Sequence, residues 1–168
     1  MSDALTADCG SCAALCCMAL AFDRGEDFGL DKPAGLPCPH LARHSCTIHD
    51  ALEPRGFSGC VSYDCRGAGQ RVTQEVFGGA SWQDDPALLA PMIDAFADMR
   101  AVQDRRVLLS AAARLPLSRR DAAEVAALDA MLAPGALSTA RLEGFARSEL
   151  AARIDRFIAS LRRYVPAR

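Results

Sequence analysis

Cys9-Gly10-Ser11-Cys12-Ala13-Ala14-Leu15-Cys16-Cys17 places four thiols within nine residues. Working outward, Cys38, Cys46, Cys60 and Cys65 complete the set of eight, and residues 66–168 contain no cysteine. The three histidines, His40, His44 and His49, fall in the same window. Thiolate and imidazole are the usual ligands of zinc and of iron. Their concentration in the first part of the chain predicts that this part is organised around metal. The segment Cys12–Leu20 has no Gly or Pro, so a short helix is expected there. At about 100° per residue, Cys9, Cys12 and Cys16 would then fall within roughly 60° of one another, with Cys17 on another side.

The remainder reads as helices and loops. Residues 1–8 read as a loose leader. Residues 23–39 carry Gly25, Gly29, Pro33, Gly35, Pro37 and Pro39 and form a loop, anchored at its end by Cys38. Short helices are expected over Cys46–Leu52 and Gln70–Phe77, the second stopped by Gly78-Gly79. Asp84-Asp85-Pro86 marks a helix start. An apolar stripe of Met92, Ile93, Phe96, Met99, Val102, Val107 and Leu108 follows, ending before Pro116. Ser118 with Asp121 resembles a capping signal for Ala122–Leu132. Ser138 is the expected cap of a last helix bearing Leu150, Ile154, Phe157, Ile158, Leu161 and Val165 on one face.

Composition agrees with a mainly α fold. Apolar residues make up 51% and aromatics 6%, and alanine favours helices over sheets. The architecture expected is a small Cys-rich metal-binding lobe of short helices and loops over residues 1–80, packed on a C-terminal helical bundle over residues 81–168. Residues 1–65 hold nine acids against four bases, and residues 66–168 twelve acids against fifteen bases. The two parts therefore attract each other, while the net charge of -2 argues against nucleic acid as a partner. No stretch approaches the roughly 20 apolar residues of a membrane span. Nor does the apolar run Ala13–Phe22 have the basic start and cleavage site of a signal peptide. Neither a membrane partner nor export is expected, and the expected location is cytoplasmic, where thiols stay reduced. Arginine supplies every basic residue except Lys32, a bias of GC-rich bacterial genomes.

Three readings of the thiols stand side by side. The leading one is metal chelation, with Cys9, Cys12, Cys16, Cys17, Cys38, Cys46, Cys60 and Cys65 as ligands of zinc or iron, an iron–sulfur cluster included. The second is disulfide or thiol redox chemistry. The third treats the cysteines as small buried hydrophobes. His49 divides evenly between ligand and surface roles, whereas His40 and His44 read as solvated loop residues. A lobe this loop-rich needs a staple, and structural zinc supplies on the order of 10 kcal/mol of folding free energy.

Cys9-Gly-Ser-Cys12-Ala-Ala-Leu-Cys16-Cys17, with Cys38-Pro-His-Leu, Cys46-Thr-Ile-His49 and Cys60, resembles the CxxCxxCC family of zinc- or iron-chelating domains. Gly56-Phe-Ser-Gly-Cys60, Tyr63-Asp-Cys65-Arg-Gly-Ala-Gly-Gln70 and Phe77-Gly-Gly79 also resemble the Cys-rich leader of some actinobacterial pentapeptide-repeat proteins, whose repeats this chain lacks. The likeness covers roughly residues 8–80. It departs from the family motif in having three residues, not two, between Cys12 and Cys16. It implies metal chelation by eight cysteines and no particular reaction. Two further functions remain open beside a metal-binding protein: an iron–sulfur redox protein or enzyme, and a helical adaptor that recruits a protein partner while its metal lobe only folds it.

Overall fold

The computed structural model describes residues 5–136 and 139–165. The protein is mainly α, and the one sheet among the described residues has two strands. The first helix, α1 (Leu15–Ala19), is followed by strands β1 (Leu41–Ala42) and β2 (Ser45–Cys46). Then come α2 (Ser58–Ser62), α3 (Ala68–Arg71), α4 (Leu89–Ala112), α5 (Arg119–Leu132), α6 (Thr139–Leu142) and α7 (Glu149–Ser160). A single π-helical turn, Val72–Val76, extends α3. The expected stop follows, with Gly78 and Gly79 both at positive φ.

The long helix α4 is the axis of the molecule. Asp85 caps a 3-10 turn, Pro86–Leu88, that leads into it, the Asp85 carboxylate accepting from Ala87 N at 3.0 Å. Met92, Phe96, Met99, Val102, Leu109 and Ala112 form its buried stripe. The stripe differs from the expected one at its C-terminal half. Gln103 and Arg106 occupy buried turns of it, and Leu108 is exposed. Polar side chains survive there because each is bonded, Arg106 Nε to Asp129 Oδ1 at 3.0 Å and Gln103 to Arg71 and to the Arg66 carbonyl.

The helices α1, α3, α5, α6 and α7 all pack on α4. One core cluster joins Ala13, Leu15, Ala68 and Val72 of the cysteine-bearing part to Met92, Phe96, Leu128, Leu142, Phe145 and Ile154 of the helical part. The boundary expected at residue 80 is therefore crossed by a continuous core. Arg71, 3% exposed, reinforces the crossing: it donates to Gln103 Oε1 at 3.1 Å and to the C-terminal carbonyls of α5, Leu132 at 3.1 Å and Ala133 at 3.2 Å.

Several local expectations are corrected. The predicted helix over Cys46–Leu52 is a hairpin strand followed by a 3-10 turn, His49–Ala51, because Cys46 pairs with Leu41 across β1–β2. The first helix begins only at Leu15, since Ala14 adopts a left-handed φ of 57°. The final helical stretch is not continuous. Gly144 at φ 67° separates α6 from a 3-10 turn, Phe145–Arg147, and Ser148 rather than Ser138 caps α7, accepting from Ala151 N at 3.1 Å. Ser138 lies outside the described residues. Ser118 does cap α5, its hydroxyl accepting from Asp121 N at 3.1 Å, so that helix starts at Arg119.

Candidate metal centre

Main-chain bonds set the position of each cysteine before any side chain is considered. Cys9 opens a 3-10 turn, Cys9–Ser11, capped by Asp8. This segment is tied down by residues some 60 positions later. Gln70 accepts from Asp8 N at 2.6 Å and donates to the Thr6 carbonyl at 2.8 Å, and Gln74 donates to the Ser11 carbonyl at 2.9 Å. Residues 6–8 are thus docked, not loose. Ala13 is held from both sides, its N–H donating to Thr73 Oγ1 at 3.0 Å and its carbonyl accepting from Trp82 Nε1 at 2.8 Å. Cys12 lies in extended backbone directly over α3, where Gly69 leaves room for its sulfur. Cys9, Cys12 and Cys16 therefore do not share a helix face. They lie in a 3-10 turn, an extended residue and α1 respectively.

The later cysteines reach the same region by other routes. Cys65 precedes α3, its carbonyl accepting from Ala68 N at 3.0 Å. Cys38 is buried and donates its N–H to the Cys17 carbonyl at 3.1 Å. The Cys38 carbonyl accepts from Leu41 N at 2.9 Å, so β1 and hence Cys46 on β2 are placed beside it. Cys60 sits on α2, whose Gly59 packs under Phe28 and donates to the Asp27 carbonyl at 3.0 Å.

The thiols fall into two neighbourhoods. The charges of Cys16 and Cys65 act on both Cys9 and Cys12. Those of Cys16, Cys38 and Cys46 act on both Cys17 and Cys60. Cys16 is common to the two. Burial pushes the Cys12 and Cys60 thiols up to about 11 and raises Cys9 as well. Within the adjacent pair, the hydrogen bond between Cys17 and Cys16 lowers Cys16 and raises Cys17. All eight cysteines are free thiols. Among the described residues no three Cys, His, Asp or Glu side chains are arranged to hold an ion as they stand. The donor chemistry fits a soft, thiolate-bound metal; the spacing of the sulfurs would have to tighten around it.

The histidines are engaged elsewhere. His40 meets the Phe57 ring edge-on at 5.2 Å between centroids. His44 is exposed, as expected, with its ring paired to Ser81 Oγ at 2.8 Å, and exposed His49 lies beside Asp50 at 3.6 Å.

Two residues near the thiols escaped the sequence reading. Tyr63, between Cys60 and Cys65, is pushed up to about 12 by burial and bonds through its hydroxyl to Arg100. Lys32 is buried, and burial lowers its ammonium while the charges of Cys38, Cys17 and Cys16 raise it. The only signal for Lys32 was its being the sole lysine of the chain. For Tyr63 there was none beyond its place between two cysteines.

A stretch of 101 residues is 41% identical to the uncharacterized protein YybG of Bacillus subtilis (strain 168). That stretch is 60% of this chain and 36% of YybG, so the chain spans little more than a third of the length of the curated relative it matches. No family model matches the chain, and no solved structure matches it. No described helix is long and apolar enough to cross a membrane.

Proposed function

We propose that the chain chelates zinc or iron through its cysteines, in two adjoining sets. One set is Cys9, Cys12, Cys16 and Cys65; the other is Cys17, Cys38, Cys46 and Cys60. The observation that carries this reading is the way thiols dominate one another's surroundings: the charges acting on these thiols come chiefly from other thiols, with Cys16 acting on members of both sets. The backbone bonds that bring Cys38 to Cys17 and dock the Cys9 turn on Gln70 and Gln74 support it. So does the likeness of residues 8–80 to the CxxCxxCC domains. Four thiolates are a closed donor set, which suits a structural or electron-carrying metal rather than a catalytic one with an open position.

Elemental analysis of protein purified without oxygen tests the proposal. Two metal equivalents per chain are expected, and Cys65→Ser and Cys46→Ser should each remove about one of them. Visible absorbance separates iron from colourless zinc, and a sulfide assay separates a cluster from a mononuclear ion. A chain that neither carries metal nor takes it up on reconstitution refutes the reading.

A further inference from the structure

Lys32 is the sole lysine of the chain and is only 4% exposed. Its backbone forms an antiparallel bridge with Phe22, bonded in both directions at 2.8 Å. That bridge points the side chain inward. Nζ donates to the carbonyls of Leu36 at 2.8 Å, Pro33 at 3.1 Å and Met18 at 3.4 Å, and lies 5.0 Å from the Phe22 ring centroid. Three carbonyls satisfy its donors, but none neutralises its charge. Among the described residues no carboxylate lies within ion-pairing distance of it. A buried ammonium without an anion is costly, and negative charge arriving beside it offsets that cost.

The ionisable groups whose charges act on Lys32 are the thiols of Cys38, Cys17 and Cys16. Met18 and Leu36, two of the three residues whose carbonyls accept from Nζ, each stand within two residues of a cysteine, Cys17 and Cys38 respectively. Those two cysteines are joined by the Cys38 N to Cys17 O bond of 3.1 Å. Four thiolates around a divalent ion leave an excess of two negative charges, and a fixed cation beside them offsets part of it.

We infer that Lys32 is the built-in countercation of the thiols at Cys17 and Cys38, a positioning residue that strengthens metal binding there through charge and not through ligation. The inference rests on the metal-binding reading. It adds that the ion held with Cys38 depends on Lys32 directly, and the one held with Cys65 through Cys16, on which the lysine charge also acts.

The test compares the full chain with Lys32→Met, Lys32→Gln and Lys32→Arg. Zinc affinity is measured by competition with a chromophoric chelator, and circular dichroism checks the fold. For a unit charge about 10 Å from the ion at an effective dielectric near 20, loss of the Lys32 charge weakens zinc binding by about tenfold or more. Met and Gln should both show that loss and Arg should restore most of it. A merely structural role gives another pattern, in which Gln, whose amide keeps two donors for the carbonyls, binds like wild type and bulkier Arg fails. That pattern overturns the inference, as does a neutral variant with both affinities within about threefold of wild type. Should the Met variant not fold, the Gln and Arg variants carry the same comparison. Wild-type protein that takes up no zinc sinks the metal-binding reading itself, and is recognised before any variant is made.

Discussion

Gly69→Ala separates the fold from the proposed metal site with one methyl group. A Cβ at Gly69 would stand 2.5 Å from Cys12 Sγ, 3.5 Å from Cys12 Cβ and 3.9 Å from Phe96 Cε2. The last two are tolerable. The first is about 1 Å inside ordinary contact, so the sulfur must move. In the metal-free protein that is cheap, because Cys12 rotates about χ1 while its backbone stays put. Alanine also favours the helical backbone of α3 over glycine by about 0.5–1 kcal/mol. The chelator-treated variant should therefore be as stable as wild type or up to about 1 kcal/mol more stable in urea denaturation. Metal binding should respond in the opposite direction. Ligand distances tolerate about 0.2 Å, several times less than the displacement forced on Cys12. The ion held with Cys65 should weaken by at least the roughly 10–100-fold that outer-sphere changes cost. Zinc competition on the variant measures this directly. Unchanged affinity at both sites would refute the assignment of Cys12 as a ligand; a large loss of apo-protein stability would refute the free rotation of its side chain.

Two further outcomes test the frame around the site. Arg71→Met removes a buried guanidinium that serves Gln103, Glu75 and the last carbonyls of α5; it should cost about 3 kcal/mol in urea denaturation, the low end for breaking a buried pair because Glu75 keeps some solvent, and a loss below about 1 kcal/mol would contradict the clamp. Asp121 is held at about 2, below its ordinary 3.8, by the Tyr164 hydroxyl, then by Ser118 and Arg163. Its folded-state value is depressed, so its contribution is complete above about pH 4 and is lost as pH falls toward 2. The stability gap between wild type and Asp121→Asn, followed by acid titration, should be constant above pH 4 and close between 4 and 2; a gap that persists to pH 2 would show that the carboxylate is not the group responsible.

Signals that act within one turn of the chain were legible in the residues alone. Asp85-Pro86 starts α4, Ser118 caps α5 and Gly78-Gly79 stop the turn after α3, because a cap, a ring or a missing Cβ works on backbone at most four residues away. The mainly α class and the gathering of thiols before residue 66 were equally plain in the sequence. Other features depended on partners far along the chain. Gln70, Gln74, Thr73 and Trp82 hold residues 6–13 out of a helix, with Ala14 left-handed at the junction. Pairing with Leu41 draws Cys46 into a strand, and the bridge to Phe22 turns the sole lysine inward onto the carbonyls of Met18, Pro33 and Leu36. Tertiary folding decided these, since a hydrogen bond closed across some 60 residues outweighs a local helical preference worth a fraction of a kcal/mol per residue.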